Sequence, residues 1–270
     1  MKFAICNEIF QGWKLADAMK FAAQIGYQGI EIAPFTLARN VNEISAADRQ
    51  AIREEAARIG IPICGIHWVL VQAEGMYLTH PEPGIRSGTA QYFCDLVDFC
   101  ADIGGKVIVV GSPKQRNLLP GVTAEQAWAW AGETFRASVR RAEDRGVTIC
   151  FEPLAPAETN FINTAEEAIR FAGQFRSTNF RIILDVKAMC SEAKPIPQII
   201  RESWPNFAHF HANDRNLKGP GFGDVDFHPI AAALKEVGYD GFVSVEVFSF
   251  EEGPEVIAQR SLDYLKQTFA

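Results

Sequence analysis

Four residues with metal-binding side chains follow one another in the second half of the chain: Glu152, Asp185, His211 and Glu246. Each closes a short run of mostly apolar residues. Three carboxylates that converge without a cation repel one another and raise their own pKa values, and a divalent ion resolves that conflict. Three carboxylates and one imidazole form a mostly hard ligand set. If the fold brings them together, they predict one divalent metal ion, with Mn²⁺ favoured and Mg²⁺, Co²⁺ or Zn²⁺ as alternatives.

The elements that must position these residues alternate between short strands and longer amphipathic helices. The predicted strands cover residues 2–6, 28–32, 61–67, 106–111, 147–152, 180–185, 206–211 and 241–246. The predicted helices lie near residues 14–25, 45–59, 84–104, 123–145, 164–174, 195–203, 228–237 and 254–268. Nearly continuous apolar strands are typical of parallel strands buried on both faces. Eight such repeats predict an α/β fold, a single (β/α)8 TIM barrel that occupies residues 1–270 as one domain.

An open, doubly wound sheet is the alternative fold. Such a sheet normally carries GxGxxG after its first strand, and residues 7–13 lack that pattern. The glycine-rich segment 219–223 does not directly follow a strand and has no Gly-Lys-Ser/Thr after it. We therefore expect a flexible loop there and favour the closed barrel.

The chemistry of a TIM barrel lies at the carboxyl ends of its strands. The four acidic and histidine residues end the last four predicted strands in succession. Adjacent strands lie about 4.8 Å apart, so the four side chains can aim at one point. A single acidic residue at a strand end is more often a helix cap or a surface ion pair, and a lone strand histidine is usually a core residue. Four in succession favour a metal centre.

The residues around these strand ends also carry a resemblance to a known family. They include Phe-Glu152-Pro-Leu, Glu158-Thr-Asn-Phe-Ile-Asn163-Thr, Leu-Asp185-Val and His209-Phe-His211-Ala-Asn-Asp214. Together they resemble the sugar isomerase and epimerase group of xylose-isomerase-like barrels, which includes D-tagatose and D-psicose 3-epimerases and hydroxypyruvate isomerases. The similarity extends over essentially the whole chain.

The resemblance implies that Glu152, Asp185, His211 and Glu246 bind the metal, and that Glu152 and Glu246 also form the catalytic acid/base pair. One carboxylate removes a proton beside a substrate carbonyl and the other returns it through an enediolate, while the metal acts as a Lewis acid. The expected activity is metal-dependent isomerisation or epimerisation of a small sugar or keto-sugar.

The resemblance breaks after the metal-binding aspartate. The epimerases usually carry Asp-x-x-His there, whereas this chain has Ala188 as the third residue after Asp185. Ala188 donates no side-chain hydrogen bond, so we expect a different substrate or a different way of holding it. The candidate substrate-binding residues are Glu158, Arg215, His67 and Lys187.

Other strand-end residues leave their roles open. His67 and Glu31 end strands three and two, and each could bind a substrate hydroxyl or form a structural hydrogen bond. Phe10, Trp13, Trp68 and Phe248 lie just past strand ends and could form the wall of a sugar pocket. They could equally close the rim of the barrel.

The composition argues against several classes of protein. The formal net charge is −7 and no long Lys/Arg block occurs, so we expect no nucleic-acid partner. No apolar stretch is long enough to span a membrane, and no leader segment is recognisable. The six scattered cysteines favour a reducing compartment, so we expect a cytoplasmic protein, either monomeric or a homo-oligomer.

Three other functions remain as alternatives. A metal-dependent lyase or dehydratase on a keto-sugar or inosose would use the same proton abstraction and then expel a leaving group. A nuclease of the endonuclease IV type needs a histidine-rich trinuclear zinc site, and this chain has only five histidines. A non-catalytic sugar-binding barrel is disfavoured because all four metal-binding residues are present.

Overall fold

Eight parallel strands close into a barrel in the computed structural model, which describes all of residues 1–270. The strands pair in chain order and β1 pairs with β8, which completes the circle. The strands are β1 Lys2–Cys6, β2 Gly29–Ile32, β3 Ile63–Ile66, β4 Val107–Val110, β5 Thr148–Phe151, β6 Phe180–Asp185, β7 Phe207–Ala212 and β8 Phe242–Val245. The predicted TIM barrel is therefore confirmed.

Nine helices accompany the strands, one more than the sequence patterns predicted. They are α1 Leu15–Ile25, α2 Ala46–Ile59, α3 Pro83–Asp102, α4 Ala124–Arg145, α5 Ala165–Gly173, α6 Val186–Met189, α7 Ile196–Ser203, α8 His228–Glu236 and α9 Pro254–Thr268. The additional helix, α6, is a single turn of four residues, too short to show a period in the sequence. None of the helices is long and apolar enough to cross a membrane.

Local sequence signals fix where the helices begin and end. Thr123 and Thr164 both form full capping boxes, in which the threonine oxygen accepts the third backbone N–H of the helix. Gly60 and Gly146 end α2 and α4 in the left-handed conformation that glycine adopts without steric cost. These signals place each helix start and stop so that the next strand returns to the barrel.

One large apolar core lies between the strands and the helical ring. The barrel interior is different, because buried polar side chains from β1, β2, β7 and β8 meet there. Glu31 and His209 lie 2.8 Å apart, and the thiol of Cys6 lies 3.6 Å from Ser244 Oγ. Interiors of TIM barrels are mainly filled by branched apolar side chains, so this polar layer needs a functional explanation.

Candidate metal centre and substrate site

The strand ends bring the four predicted metal ligands together. One side-chain donor atom from each of Glu152, Asp185, His211 and Glu246 lies within 4.8 Å of the other three, and all four residues are buried. Burial and the charge of Glu246 raise the pKa of Asp185 to about 6. Burial and the charges of Asp185 and Glu246 raise the pKa of Glu152 well above its ordinary value. The mutual repulsion is the kind that a divalent cation relieves.

His211 is oriented as a metal ligand. Its Nε2 lies 3.2 Å and 3.3 Å from the two carboxylate oxygens of Glu31. Its Nδ1 is buried, has no hydrogen-bond partner and lies 3.2 Å from Glu246 Oε2. A carboxylate that holds one ring nitrogen commonly orients a histidine so that the other nitrogen can bind a metal. The donor set and the orphaned Nδ1 therefore fit a divalent ion.

Glu31 supports the histidines from inside the barrel. Its carboxylate accepts from His209 at 2.8 Å as well as facing His211. Burial alone would raise the pKa of Glu31, but the charges and hydrogen bonds of the two histidines outweigh it and hold the pKa well below its ordinary value. Glu31 could have bound a substrate hydroxyl or formed a structural hydrogen bond, and its contacts with His209 and His211 are those of a structural hydrogen bond.

The carboxylate of Asp185 is fixed by two neighbours. The backbone N–H of Ala188 donates to Oδ1 at 2.7 Å, which makes Asp185 the N-cap of α6. The side-chain amide of Asn213 donates to Oδ2 at 2.5 Å and to Glu246 Oε2 at 3.3 Å. Asn213 thus joins the carboxylates of β6 and β8 and keeps both directed at the cluster.

Glu246 is held by residues that follow β3. The indole N–H of Trp68 donates to Glu246 Oε1 at 2.7 Å, and His67 Nδ1 lies 3.4 Å from the same oxygen. Trp68 has a φ of 50°, a left-handed conformation that is strained for a bulky residue. Strain of this kind collects at functional sites. Here it accompanies an indole that is directed at a carboxylate of the centre.

The Glu152 carboxylate extends into space that is open because Gly111 has no side chain. A Cβ placed on Gly111, at the end of β4, would lie only 1.8 Å from Glu152 Oε2. The buried guanidinium of Arg116 donates to the backbone oxygen of Glu152 at 2.7 Å and lies 4.9 Å from the ring centre of Phe151. Burial lowers the pKa of Arg116 to about 10. Gly111 and Arg116 therefore both shape the end of β5.

The predicted substrate-binding residues are placed differently from one another. Lys187 Nζ donates to Glu158 Oε1 at 2.6 Å and lies 4.1 Å from the ring centre of Phe248. His67 is fully buried, with Nε2 lying 2.8 Å from Glu8 Oε2. Arg215 is exposed and lines a separate surface cavity with Cys190 and acidic residues. Lys187 and His67 thus adjoin the cluster, whereas Arg215 does not join it.

Several residues of the site were not found from the sequence. Glu8 lies two residues past β1 and Gly111 directly follows β4, so their position at strand ends was the available signal. Asn213 follows β7 in the same way. Arg116 lies six residues beyond β4, directly after the 3-10 turn Pro113–Gln115, and no spacing rule identifies a residue there.

Comparison with known proteins decides the family. Residues 19–268 match the family model described as the xylose isomerase-like TIM barrel. The chain belongs to this family. Its relatives include the D-psicose 3-epimerase of Ruminiclostridium cellulolyticum, 28% identical over 84% of this chain and 75% of the relative. The 3-dehydro-D-guloside 4-epimerase of Escherichia coli is 24% identical over 98% of this chain and 99% of the relative.

Solved structures share the whole fold. A D-psicose 3-epimerase crystallised with D-fructose superimposes with a TM-score of 0.87 at 23% identity, covering 100% of this chain and 99% of the other. A 3-keto-D-glucoside 4-epimerase of E. coli in its apo form gives a TM-score of 0.83 at 22% identity, covering 99% of each chain. At this identity the superpositions establish the fold, and the family model over residues 19–268 confirms the resemblance recognised in the sequence.

Proposed function

We propose that this protein is a divalent-metal-dependent epimerase or isomerase that acts on a sugar or keto-sugar. The observation that carries the proposal is the convergence of three buried carboxylates and one open imidazole nitrogen at the carboxyl ends of β5 to β8. The named relatives are sugar epimerases, which supports the same class of reaction. The proposed ligands are Glu152, Asp185, His211 and Glu246, and the proposed ion is Mn²⁺.

The two glutamates are placed for a two-base reaction. Glu152 follows β5 and Glu246 follows β8, with Asp185 and His211 on the strands between them. A bound divalent ion would supply Lewis-acid stabilisation of the negative charge that develops when a proton leaves the carbon beside a carbonyl. One glutamate removes that proton, and the other delivers a proton to the opposite face of the same carbon. Return to the neighbouring carbon would give isomerisation.

Neighbouring residues prepare these carboxylates for the reaction. Trp68 and Asn213 each hold one oxygen of Glu246, which fixes the plane of its carboxylate. Gly111 leaves the space into which the Glu152 carboxylate extends. Both glutamates are almost fully buried, so few water molecules compete for the transferred proton. We propose that Lys187, Glu158 and His67 contact substrate beside this pair. Arg215 is set apart from them because it lines a separate surface cavity.

The experiment is turnover in heavy water with Mn²⁺-loaded enzyme. Ketoses, keto-acids, inososes and 3-keto-glycosides are supplied in turn and the products are analysed by NMR. A two-base epimerisation must place solvent deuterium on the inverted carbon, because the second carboxylate takes its proton from solvent. Glu152→Gln and Glu246→Gln should each abolish the exchange, whereas Glu255→Gln, at an exposed position in α9, should not.

Two outcomes would contradict the proposal. An inverted product without deuterium would exclude the two-base route. A product that has lost water or a larger leaving group would assign the protein to the lyases, which share the first proton abstraction. One sequence feature favours the lyase alternative: Ala188 stands where the epimerases carry the histidine of Asp-x-x-His.

A further inference from the structure

A second group of metal-binding side chains lies inside the barrel, beside the proposed metal centre. One donor atom from each of Cys6, Glu31, His67 and His211 lies within 4.8 Å of the other three, and all four residues are buried. Cys6, Glu31 and His211 belong to β1, β2 and β7, and His67 directly follows β3. We call these four residues the interior cluster. It shares only His211 with the proposed Mn²⁺ site.

The spacing inside the interior cluster is close to that of a tetrahedral zinc site. Zinc lies about 2.3 Å from sulfur and about 2.0–2.2 Å from nitrogen or oxygen, so neighbouring ligand atoms are about 3.3–3.6 Å apart. Glu31 Oε2 lies 3.8 Å from Cys6 Sγ and 3.3 Å from His211 Nε2. The remaining pairs lie within 4.8 Å. Side-chain movements of about 1 Å therefore complete the tetrahedron.

The ligand types of the interior cluster select zinc over the hard ions. A sulfur and two imidazoles are softer ligands than carboxylates and favour Zn²⁺ over Mn²⁺ and Mg²⁺. Zinc deprotonates a thiol that coordinates it, so the Cys6 thiolate and the Glu31 carboxylate together balance the two charges of the ion. Four protein ligands also leave no coordination position for water, which is the arrangement of a structural zinc site.

Two neighbouring side chains hold ligands of the interior cluster from outside. His209 Nε2 lies 2.8 Å from Glu31 Oε2, and Ser244 Oγ lies 3.6 Å from Cys6 Sγ. Residues that bind a metal are commonly oriented by an outer layer of hydrogen bonds of this kind. The carboxylate and the thiol are therefore directed at the interior cluster before any ion enters.

His67 has bonding capacity that the protein leaves unused. Its Nε2 is buried and makes no hydrogen bond, although Glu8 Oε2 lies 2.8 Å away. Its Nδ1 makes only a long contact, at 3.4 Å, with Glu246 Oε1. A buried polar atom without a partner costs free energy. A metal ion within reach of the ring lowers that cost, because one nitrogen binds the ion and the other keeps its neighbouring carboxylate.

His211 connects the interior cluster to the proposed Mn²⁺ site. Its Nδ1 lies 3.2 Å from Glu246 Oε2, and its Nε2 lies 3.2 Å from Glu31 Oε1. Each ring nitrogen therefore faces a different set of ligands. Because either nitrogen of an imidazole can bind a metal, both sites can be filled at once, with the ring as a bridge.

We propose that the interior cluster is a structural zinc site, and that His211 bridges its ion to the proposed Mn²⁺. Without zinc, Glu31 holds His211 through a hydrogen bond, and the ion takes the place of the proton between them. Bound zinc ties β1, β2, β3 and β7 together near their carboxyl ends and fixes the ring of His211 for its second metal. This ligand set does not depend on the reaction catalysed, so the site is tested without turnover.

The test uses cobalt, because Co²⁺ replaces Zn²⁺ in such sites and a thiolate bound to Co²⁺ absorbs in the near ultraviolet. The full-length protein is produced in cobalt-supplemented medium, and its bound metal is counted by plasma mass spectrometry. We expect two cobalt ions per chain and a thiolate-to-cobalt charge-transfer band. A single cobalt ion per chain, or two ions without that band, would overturn the zinc site.

Three variants assign the two cobalt ions to their sites. Cys6→Ser should lose the charge-transfer band and one ion, whereas Asp185→Asn should lose the other ion and keep the band. Cys150→Ser is the matched control, since Cys150 is another buried strand cysteine, on β5, and it should keep both ions and the band. A band that survives in Cys6→Ser, or disappears in Cys150→Ser, would overturn the assignment. If Cys6→Ser does not fold, the wild-type spectrum and Asp185→Asn decide.

The zinc site and the proposed reaction fail in different ways. If the charge-transfer band appears but no deuterium enters any keto-sugar, the zinc site stands and the proposed reaction does not. If deuterium enters a keto-sugar while the cobalt protein has no such band, the proposed reaction stands and the zinc site does not.

Discussion

Replacement of Glu31 by glutamine should weaken Mn²⁺ binding although Glu31 is not a proposed ligand of that ion. The Glu31 carboxylate accepts from His209 at 2.8 Å and holds His211 Nε2 at 3.2 Å, which leaves Nδ1 of His211 directed at the cluster. Glutamine keeps the shape but removes the charge and places an N–H₂ group against the histidines. Loss of such a carboxylate behind a metal-binding histidine typically costs 10- to 100-fold in affinity, or about 1.4–2.8 kcal/mol of binding free energy.

The assay is calorimetric titration of metal-free protein with Mn²⁺, and circular dichroism checks that the fold is kept. Glu192→Gln is the matched control, since Glu192 is a partly buried carboxylate that caps α5 by accepting from Ala165 N at 3.0 Å. We expect the dissociation constant to rise 10- to 100-fold in Glu31→Gln and to stay unchanged in the control. A Glu31→Gln protein that is folded and binds Mn²⁺ with unaltered affinity would refute the orienting role of the carboxylate.

Three further predictions concern the same centre. Affinity for Mn²⁺ should fall as pH falls through about 6, because protons compete with the ion for Asp185. Burial and the charge of Glu246 raise the pKa of Asp185 to about 6. Equal dissociation constants for Mn²⁺ at pH 5 and pH 7.5 would contradict this prediction. Gly111→Ala should displace the Glu152 carboxylate and lower both Mn²⁺ affinity and kcat at least tenfold. The control is Gly88→Ala, at an exposed position of α3 where an added Cβ meets no neighbouring atom, and it should leave Mn²⁺ affinity and kcat unchanged. Free D-psicose and D-tagatose should react with kcat/KM below about 10⁴ M⁻¹s⁻¹, and Ala188→His should raise that value; a high wild-type value would show that the missing histidine is tolerated.

The sequence patterns predicted most of the scaffold, because strand ends and caps are local signals. The segment 180–185 matches β6, and Thr123 and Thr164 cap the helices that were expected there. Four strand-end residues were enough to predict the cluster, since the barrel topology alone brings neighbouring strand ends together. The partners of each side chain were harder to predict from the sequence, because they come from residues far apart in the chain.

Glu31 and Glu8 illustrate that limit. Glu8 follows β1 and Glu31 lies within β2. Glu31 is satisfied by two histidines that lie 178 and 180 residues away in the chain. Glu8 instead faces His67, which follows β3 and whose Nε2 lies 2.8 Å from Glu8 Oε2. Whether a buried charge is satisfied is decided by residues from other elements. No periodicity or motif within a single segment predicts whether such a charge has a partner.

The polar layer inside the barrel also has a consequence for the lifetime of the protein. Charged and polar groups there replace part of the apolar filling that holds a TIM barrel closed. In the neighbouring metal centre, the proposed ion would offset the repulsion among Glu152, Asp185 and Glu246. An ion that binds only the folded chain stabilises it by about 2.7 kcal/mol when free ion exceeds the dissociation constant a hundredfold. Supply of the metal would then set not only how much enzyme is active but how long each molecule escapes proteolysis.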